Sequence, residues 1–130
     1  MKSVVIIPTY NEIENIQRML DTVMALEPAF DVLIVDDGSP DGTAQAVKKN
    51  QKSQERIHLL ERSGKLGLGT AYIAGFKWAL QHEYDLIFEM DCDFSHNPKD
   101  LIRLQEACVN GASVAVGSRY TSGGKVNNWP

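Results

Sequence analysis

The sequence has little of what marks several protein classes. Its 130 residues include two cysteines, Cys92 and Cys108, too few for a disulfide framework, and free thiols suit a reducing compartment. No apolar run approaches the ~20 residues that a bilayer-spanning helix needs. The longest near the start, Val4-Val5-Ile6-Ile7, ends at Pro8 and lacks the charged region and small-residue cleavage site of a signal peptide. Lys and Arg number 13 against 17 Asp and Glu, a net charge of −4. The cations form no tract, so the electrostatic footprint of a nucleic-acid binder is missing. His58, His82 and His96 have no metal-ligand spacing, and no Ser/His/Asp arrangement is evident. These absences lead to the expectation of a cytoplasmic chain with no transmembrane segment and no nucleic-acid partner.

What is present argues for a packed domain. Apolar residues make up 43% of the chain, enough for a core and too many for intrinsic disorder. The length fits one domain or a piece of one. Strand-like apolar runs at 4–7, 32–35, 57–60, 86–90 and 114–116 alternate with helical periodicities. Asn11 and Glu14 read as a capping box opening a helix with its stripe at Ile13, Ile16, Leu20, Val23 and Met24. A more polar helix is expected over 43–50. The helix after Gly69 has a small inner face at Ala71, Ala74, Gly75 and Ala79, suited to close approach to a sheet. Asn97-Pro98 opens another, with Leu101, Ile102, Leu104 and Cys108 on its inner side. Alternation with short loops predicts an α/β, Rossmann-like fold, a largely parallel sheet with helices on both faces.

In such sheets ligands bind in the crevice beyond the carboxyl ends of the strands. Polar residues cluster there: Pro8-Thr9-Tyr10-Asn11-Glu12, Asp36-Asp37, Asp91 and Asp93, and Ser118-Arg119-Tyr120. Asp91 and Asp93 are two apart, so in strand geometry both point the same way, and two hard oxygen donors suit Mg²⁺ or Mn²⁺. A solvated acidic turn is the plainer alternative. Of the adjacent Asp36 and Asp37, one faces the crevice, with Asp37 favoured, and the other bonds turn amides. Tyr10 offers a stacking surface and Glu12 an acceptor for ribose hydroxyls or base nitrogens; alternatively Tyr10 packs on the sheet edge and Glu12 occupies a favourable first helical turn. Arg119 is a fork-shaped donor suited to phosphate or to a surface salt bridge. Lys65 could reach a phosphate, although a solvated loop lysine is the simpler reading. Cys92 should point away from the aspartates as a packed thiol. Gly67 and Gly69 imitate a dinucleotide fingerprint but follow the wrong strand and have Tyr72 at the third glycine position.

Together Ile7-Pro8-Thr9-Tyr10-Asn11-Glu12, Val35-Asp36-Asp37-Gly38-Ser39-Pro40-Asp41-Gly42-Thr43, Lys65-Leu66-Gly67-Leu68-Gly69-Thr70-Ala71-Tyr72, Met90-Asp91-Cys92-Asp93-Phe94-Ser95-His96-Asn97-Pro98 and Gly117-Ser118-Arg119-Tyr120 resemble glycosyltransferase family 2, in its dolichol-phosphate (polyprenol-phosphate) mannosyltransferase branch. The resemblance implies a glycosyltransferase A fold and metal-dependent, inverting transfer of mannose from GDP-mannose to a polyprenyl phosphate, with contact to the cytoplasmic face of a membrane through that acceptor. It implies that Pro8, Tyr10 and Glu12 hold the guanosine and that Val35 and Asp37 line the nucleotide pocket. Asp91 and Asp93, with the Cys92 backbone standing where alanine is expected, would hold the metal and diphosphate, and Arg119 a phosphate. Family members continue past Trp129-Pro130, so residues 1–130 are expected to be the nucleotide-sugar-binding part of a domain truncated at its C-terminus, weak or inactive alone. Three alternatives stand beside this: a family 2 transferase using a UDP-sugar, a nucleotide-sugar-binding fragment without catalysis, and a haloacid-dehalogenase-like phosphatase. The last would need its aspartates near residue 8.

Overall fold

The aliphatic runs pair into a four-stranded, fully parallel sheet of order β3-β2-β1-β4 in a computed structural model that describes residues 2–64, 66–95 and 97–109. The strands are β1 (Ser3–Thr9), β2 (Asp31–Asp36), β3 (Ile57–Glu61) and β4 (Leu86–Glu89), separated by α1 (Ile13–Met24), α2 (Thr43–Gln51) and α3 (Leu68–Gln81), with α4 (Asp100–Val109) after β4. Alternate strand residues face opposite sides. Val5, Ile7, Val32, Ile34, Phe88 and Met90 pack with Ile16, Met19, Leu20 and Val23 of α1, Val47 of α2, and Leu101 and Leu104 of α4. Val4, Ile6, Leu33 and Val35 pack with Ala71, Tyr72 and Ala79 of α3. Both faces are covered, which is why the central strands read as unbroken apolar runs rather than alternating ones. Burying each such Val, Ile or Leu contributes ~1.5–3 kcal/mol. The expected α/β architecture with helices on both faces is the one observed.

Two local features shape the functional end of the sheet. Gly75 lets α3 lie directly on β1: a Cβ there would come within 2.6 Å of Ile6 Cγ2. Pro8 ends the pairing of β1 with β4. The last bond on that side runs from the Met90 N–H to the Ile6 carbonyl at 3.0 Å; Pro8, next in the alternation, has no N–H to extend it. Pairing with β2 continues through Thr9↔Asp36. A crevice therefore opens between β1 and β4, beyond the carboxyl ends of the strands, where open α/β sheets bind ligands.

The start of α1 differs from the expected capping box. Asn11 sits at φ +56°, Glu12 takes the N-cap position, and neither side chain caps the helix. The β2–α2 loop supplies acceptors instead: the N–H groups of Asn11, Glu12 and Ile13 donate to Ser39 Oγ (2.9 Å), Thr43 Oγ1 (3.0 Å) and Asp41 Oδ2 (3.2 Å). Asn97 behaves nearer to expectation, accepting from the Lys99 N–H at 3.0 Å one turn before α4. β1 runs through Pro8 to Thr9, further than the expected 4–7, and β4 stops one residue short of 90. The expected strand at 114–116 lies outside the described residues. Among the described residues no helix is long and apolar enough to cross a membrane.

Gly75→Ala should lower stability by about 1–2 kcal/mol, because the overpacking cost exceeds the ~0.5–1 kcal/mol that Ala normally gains in a helix. Urea unfolding checks it; an increase in midpoint would show that Ile6 moves aside freely.

Candidate functional site

The crevice is a cleft of about 270 Å³ lined by Pro8, Thr9, Tyr10, Glu12, Asp37, Gly67, Leu68, Ala71, Asp91, Cys92 and Asp93. Its acidic residues come from three strand ends: Glu12 just after β1, Asp37 after β2, and Asp91 and Asp93 after β4. Among the described residues that line it there is no Lys or Arg.

The adjacent aspartates divide their work. Asp36 is 1% exposed and its carboxylate accepts from Thr9 Oγ1 (2.7 Å), the Ser39 N–H (3.0 Å) and Ser39 Oγ (2.6 Å). Asp37 lines the cleft and takes a two-pronged contact from Arg62, Nε to Oδ1 at 2.6 Å and Nη2 to Oδ2 at 2.8 Å. Arg62 also donates to Thr70 Oγ1 (3.1 Å) and the Gly67 carbonyl (3.3 Å), so it clamps the loop before α3 against Asp37. Gly67 caps α3 at φ +102°, a backbone conformation that suits glycine, and places its main chain on the cleft wall.

After β4 the chain keeps its alternation. Asp91 and Asp93 line the cleft, while Cys92 is buried in the core on the α1–α4 face. Burial, and then the carboxylates of Glu12, Asp93 and Asp91, push the Cys92 thiol up to about 12, which disqualifies it as a nucleophile. Asp91 Oδ1 accepts from the Tyr72 hydroxyl at 3.0 Å, and Asp93 Oδ1 from the Ser95 N–H at 3.0 Å. Phe94, between them and the next turn, holds φ +60° with its ring under the Arg18 guanidinium, 3.9 Å from the ring centroid. The Glu12 carboxyl is raised above its ordinary 4.5, chiefly by burial; a hydrogen bond from Asn15 opposes this, and Asp93, Asp91 and Asp41 add to it.

Of the residues expected from sequence, Pro8, Tyr10, Glu12, Asp37, Asp91, Cys92 and Asp93 meet at one cleft. Val35 does not: its side chain is fully buried on the α3 face of the core. Arg119, Lys65 and His96 lie outside the described residues. Arg62, Tyr72, Gly67, Leu68 and Ala71 were not picked out as site residues by reasoning on strand ends. The in-register pair Asp36↔Glu61 is the signal that would have found Arg62, since it sets Arg62 beside Asp37.

Two carboxylates from one turn fit a Mg²⁺ or Mn²⁺ ion, which retains waters and takes substrate phosphate oxygens rather than an all-protein cage. Among the described residues there is no group of three or more side chains that could hold a metal ion by themselves. The carboxylates that raise Glu12 and Cys92 show that the cleft concentrates negative charge a divalent ion would offset.

The sequence model of glycosyl transferase family 2 matches residues 4–130. A polyprenol monophosphomannose synthase of Mycolicibacterium smegmatis is 48% identical over 130 residues, covering 99% of this chain and 49% of that protein, so the chain spans about half the length of this curated relative. Among solved structures, a mannosyltransferase of Pyrobaculum calidifontis in complex with GDP-Man and Mn²⁺ is 29% identical, with a TM-score of 0.57 over 60% of this chain and 24% of that one. The S. aureus TarS 1-349 structure in complex with UDP is 27% identical, with a TM-score of 0.66 over 84% of this chain and 31% of that one.

Arg62→Ala leaves the Asp37 carboxylate, 8% exposed, without its guanidinium and should cost about 3–5 kcal/mol in urea unfolding; a loss under 1 kcal/mol would show that the clamp is dispensable. Glu12 gives a pH test. Its folded-state proton affinity exceeds the unfolded one, so folding is penalised as pH rises through 4.5 and beyond. In metal-free buffer Glu12→Gln should therefore melt higher than the parent at pH 7, the gap closing below about pH 4.5. A lower melting temperature at pH 7 would refute the charge crowding.

Proposed function

This chain belongs to glycosyl transferase family 2, and from that premise we propose that it holds the donor-binding side of a metal-dependent, inverting mannosyltransferase, taking GDP-mannose as donor and a polyprenyl phosphate as acceptor. The observation that carries the proposal is the convergence of Tyr10, Glu12, Asp37, Asp91 and Asp93 on one cleft at the β1/β4 crevice. In this reading the nucleoside lies against Pro8 and the exposed ring of Tyr10. Glu12 accepts from ribose hydroxyls or base nitrogens. Asp37, fixed by Arg62, offers its oxygens to base N–H donors, a rigid acceptor rather than a swinging one. Leu68 and Ala71 exclude water from the facing wall.

A diphosphate cannot approach Asp91 and Asp93 uncompensated, since like charges repel strongly in a partly desolvated cleft. Asp91 and Asp93 would hold Mg²⁺ or Mn²⁺, which when bound supplies charge neutralisation at the departing diphosphate. The Cys92 backbone packs beside the phosphates, and Arg119 is proposed as a further phosphate contact. A phosphate acceptor is anionic at neutral pH, so attack on the sugar carbon from the face opposite the nucleotide requires no strong general base. A lipid-linked acceptor brings the site to a membrane surface.

A UDP-sugar donor is the second reading, favoured by the likeness to the UDP complex of TarS. Thermal shift with Mn²⁺ separates the two. GDP-mannose should raise the melting temperature, by the equivalent of about 2.7 kcal/mol at a hundred times Kd, and UDP-sugars should not. Asp91→Asn should remove most of the metal-dependent part. Stabilisation by UDP-sugars alone would overturn the GDP-mannose assignment.

A further inference from the structure

The Tyr72 hydroxyl lies at the join between α3 and the acidic turn after β4, and the donor-site account above leaves it unused. Tyr72 is 1% exposed, with its ring packed against the α3-side core. Its hydroxyl donates to Asp91 Oδ1 at 3.0 Å across 19 residues of sequence. A donor to a carboxylate makes a charge-assisted bond, and a tyrosine so buried cannot be replaced by bulk water there. We propose that Tyr72 is a positioning residue for a divalent-cation site at Asp91. Its hydroxyl fixes the plane of the Asp91 carboxylate, occupies Oδ1, and leaves Oδ2 to the cation. This rests on the donor-site reading, in which Asp91 and Asp93 hold the metal.

The placement of α3 supports the role. Tyr72 is one residue after Ala71 and five after Gly67, both on the cleft wall. Arg62 ties the Gly67 carbonyl and Thr70 to Asp37. The first turns of α3 thereby touch both ends of the proposed donor, Asp37 at the base through Arg62 and Asp91 at the diphosphate through Tyr72. Gly75 seats the same helix directly on β1, so Tyr72 reaches Asp91 from a rigid mount. Partners that orient ligands in this way commonly govern metal affinity by 10–100-fold when removed.

Tyr72→Phe keeps the ring and removes the donor. Calorimetry of Mn²⁺ in the presence of GDP should show affinity falling about 10–100-fold, while GDP affinity in metal-free buffer and the urea midpoint change little. Equal Mn²⁺ affinity in parent and variant would overturn the positioning role. Parallel loss of metal-free GDP affinity and Mn²⁺ affinity would also overturn it, marking Tyr72 as a structural residue of the cleft wall. If the parent binds GDP but no Mn²⁺, the metal reading of Asp91 and Asp93 fails first, and the role of Tyr72 fails with it. The parent thus reports on the donor site and the variant on Tyr72.

Discussion

A buried carboxylate, that of Asp36, ties together the strand ends from which the cleft is built. It accepts from Thr9 at the end of β1 and from both the N–H and the hydroxyl of Ser39 in the loop after β2, and its backbone carbonyl receives the Arg62 N–H at 2.8 Å from the end of β3. Ser39 in turn accepts from the Asn11 N–H. Three strand ends and the entry to α1 are therefore referred to one residue, through its carboxylate and its backbone carbonyl, and a buried acceptor of this kind is costly to leave unsatisfied. With Asp36 occupied in this way, Asp37 can face the cleft only on the other side of the chain, and Arg62 is delivered beside it by the register of β2 and β3.

The electrostatic consequence is a cleft with one carboxylate matched by a guanidinium and three more gathered beside it. Asp37 is matched by a bidentate guanidinium. Glu12, Asp91 and Asp93 line the same cleft; the Glu12 carboxyl and the Cys92 thiol are both held more protonated than usual, by burial first and by neighbouring carboxylates after it. A site of this kind favours a ligand with a neutral, hydrogen-bonding end and a polyanionic end accompanied by a cation. A nucleoside diphosphate with a divalent ion has that form.

Much of the fold was legible because burial on both faces writes itself into β1, β2 and β4 as runs of Val, Ile, Leu and Phe, and because Asp36-Asp37-Gly38-Ser39-Pro40 is strong turn chemistry. The orientation of Asp91, Cys92 and Asp93 followed from the period of two. The start of α1 was misread because its acceptors come from Ser39, Asp41 and Thr43, about thirty residues away, and capping rules see only local sequence. Val35 was carried to the pocket by resemblance, although its place in an apolar strand run already pointed to the core. Arg62 and Tyr72 escaped notice because each acts through a partner on another element, Asp37 or Asp91, which only strand register and helix placement disclose.

The account turns on whether Asp91 and Asp93 join a divalent ion and a nucleotide-sugar diphosphate in the β1/β4 cleft. A crystal of this chain grown with GDP-mannose and Mn²⁺ and measured for manganese anomalous scattering tests that most directly. The predicted result is an anomalous peak at oxygen-ligand distance, about 2.0–2.6 Å, from a carboxylate oxygen of Asp91 or Asp93, with the guanosine against Tyr10 and Glu12. Nucleotide bound in the cleft with no manganese near those aspartates, or nucleotide bound elsewhere, would contradict it.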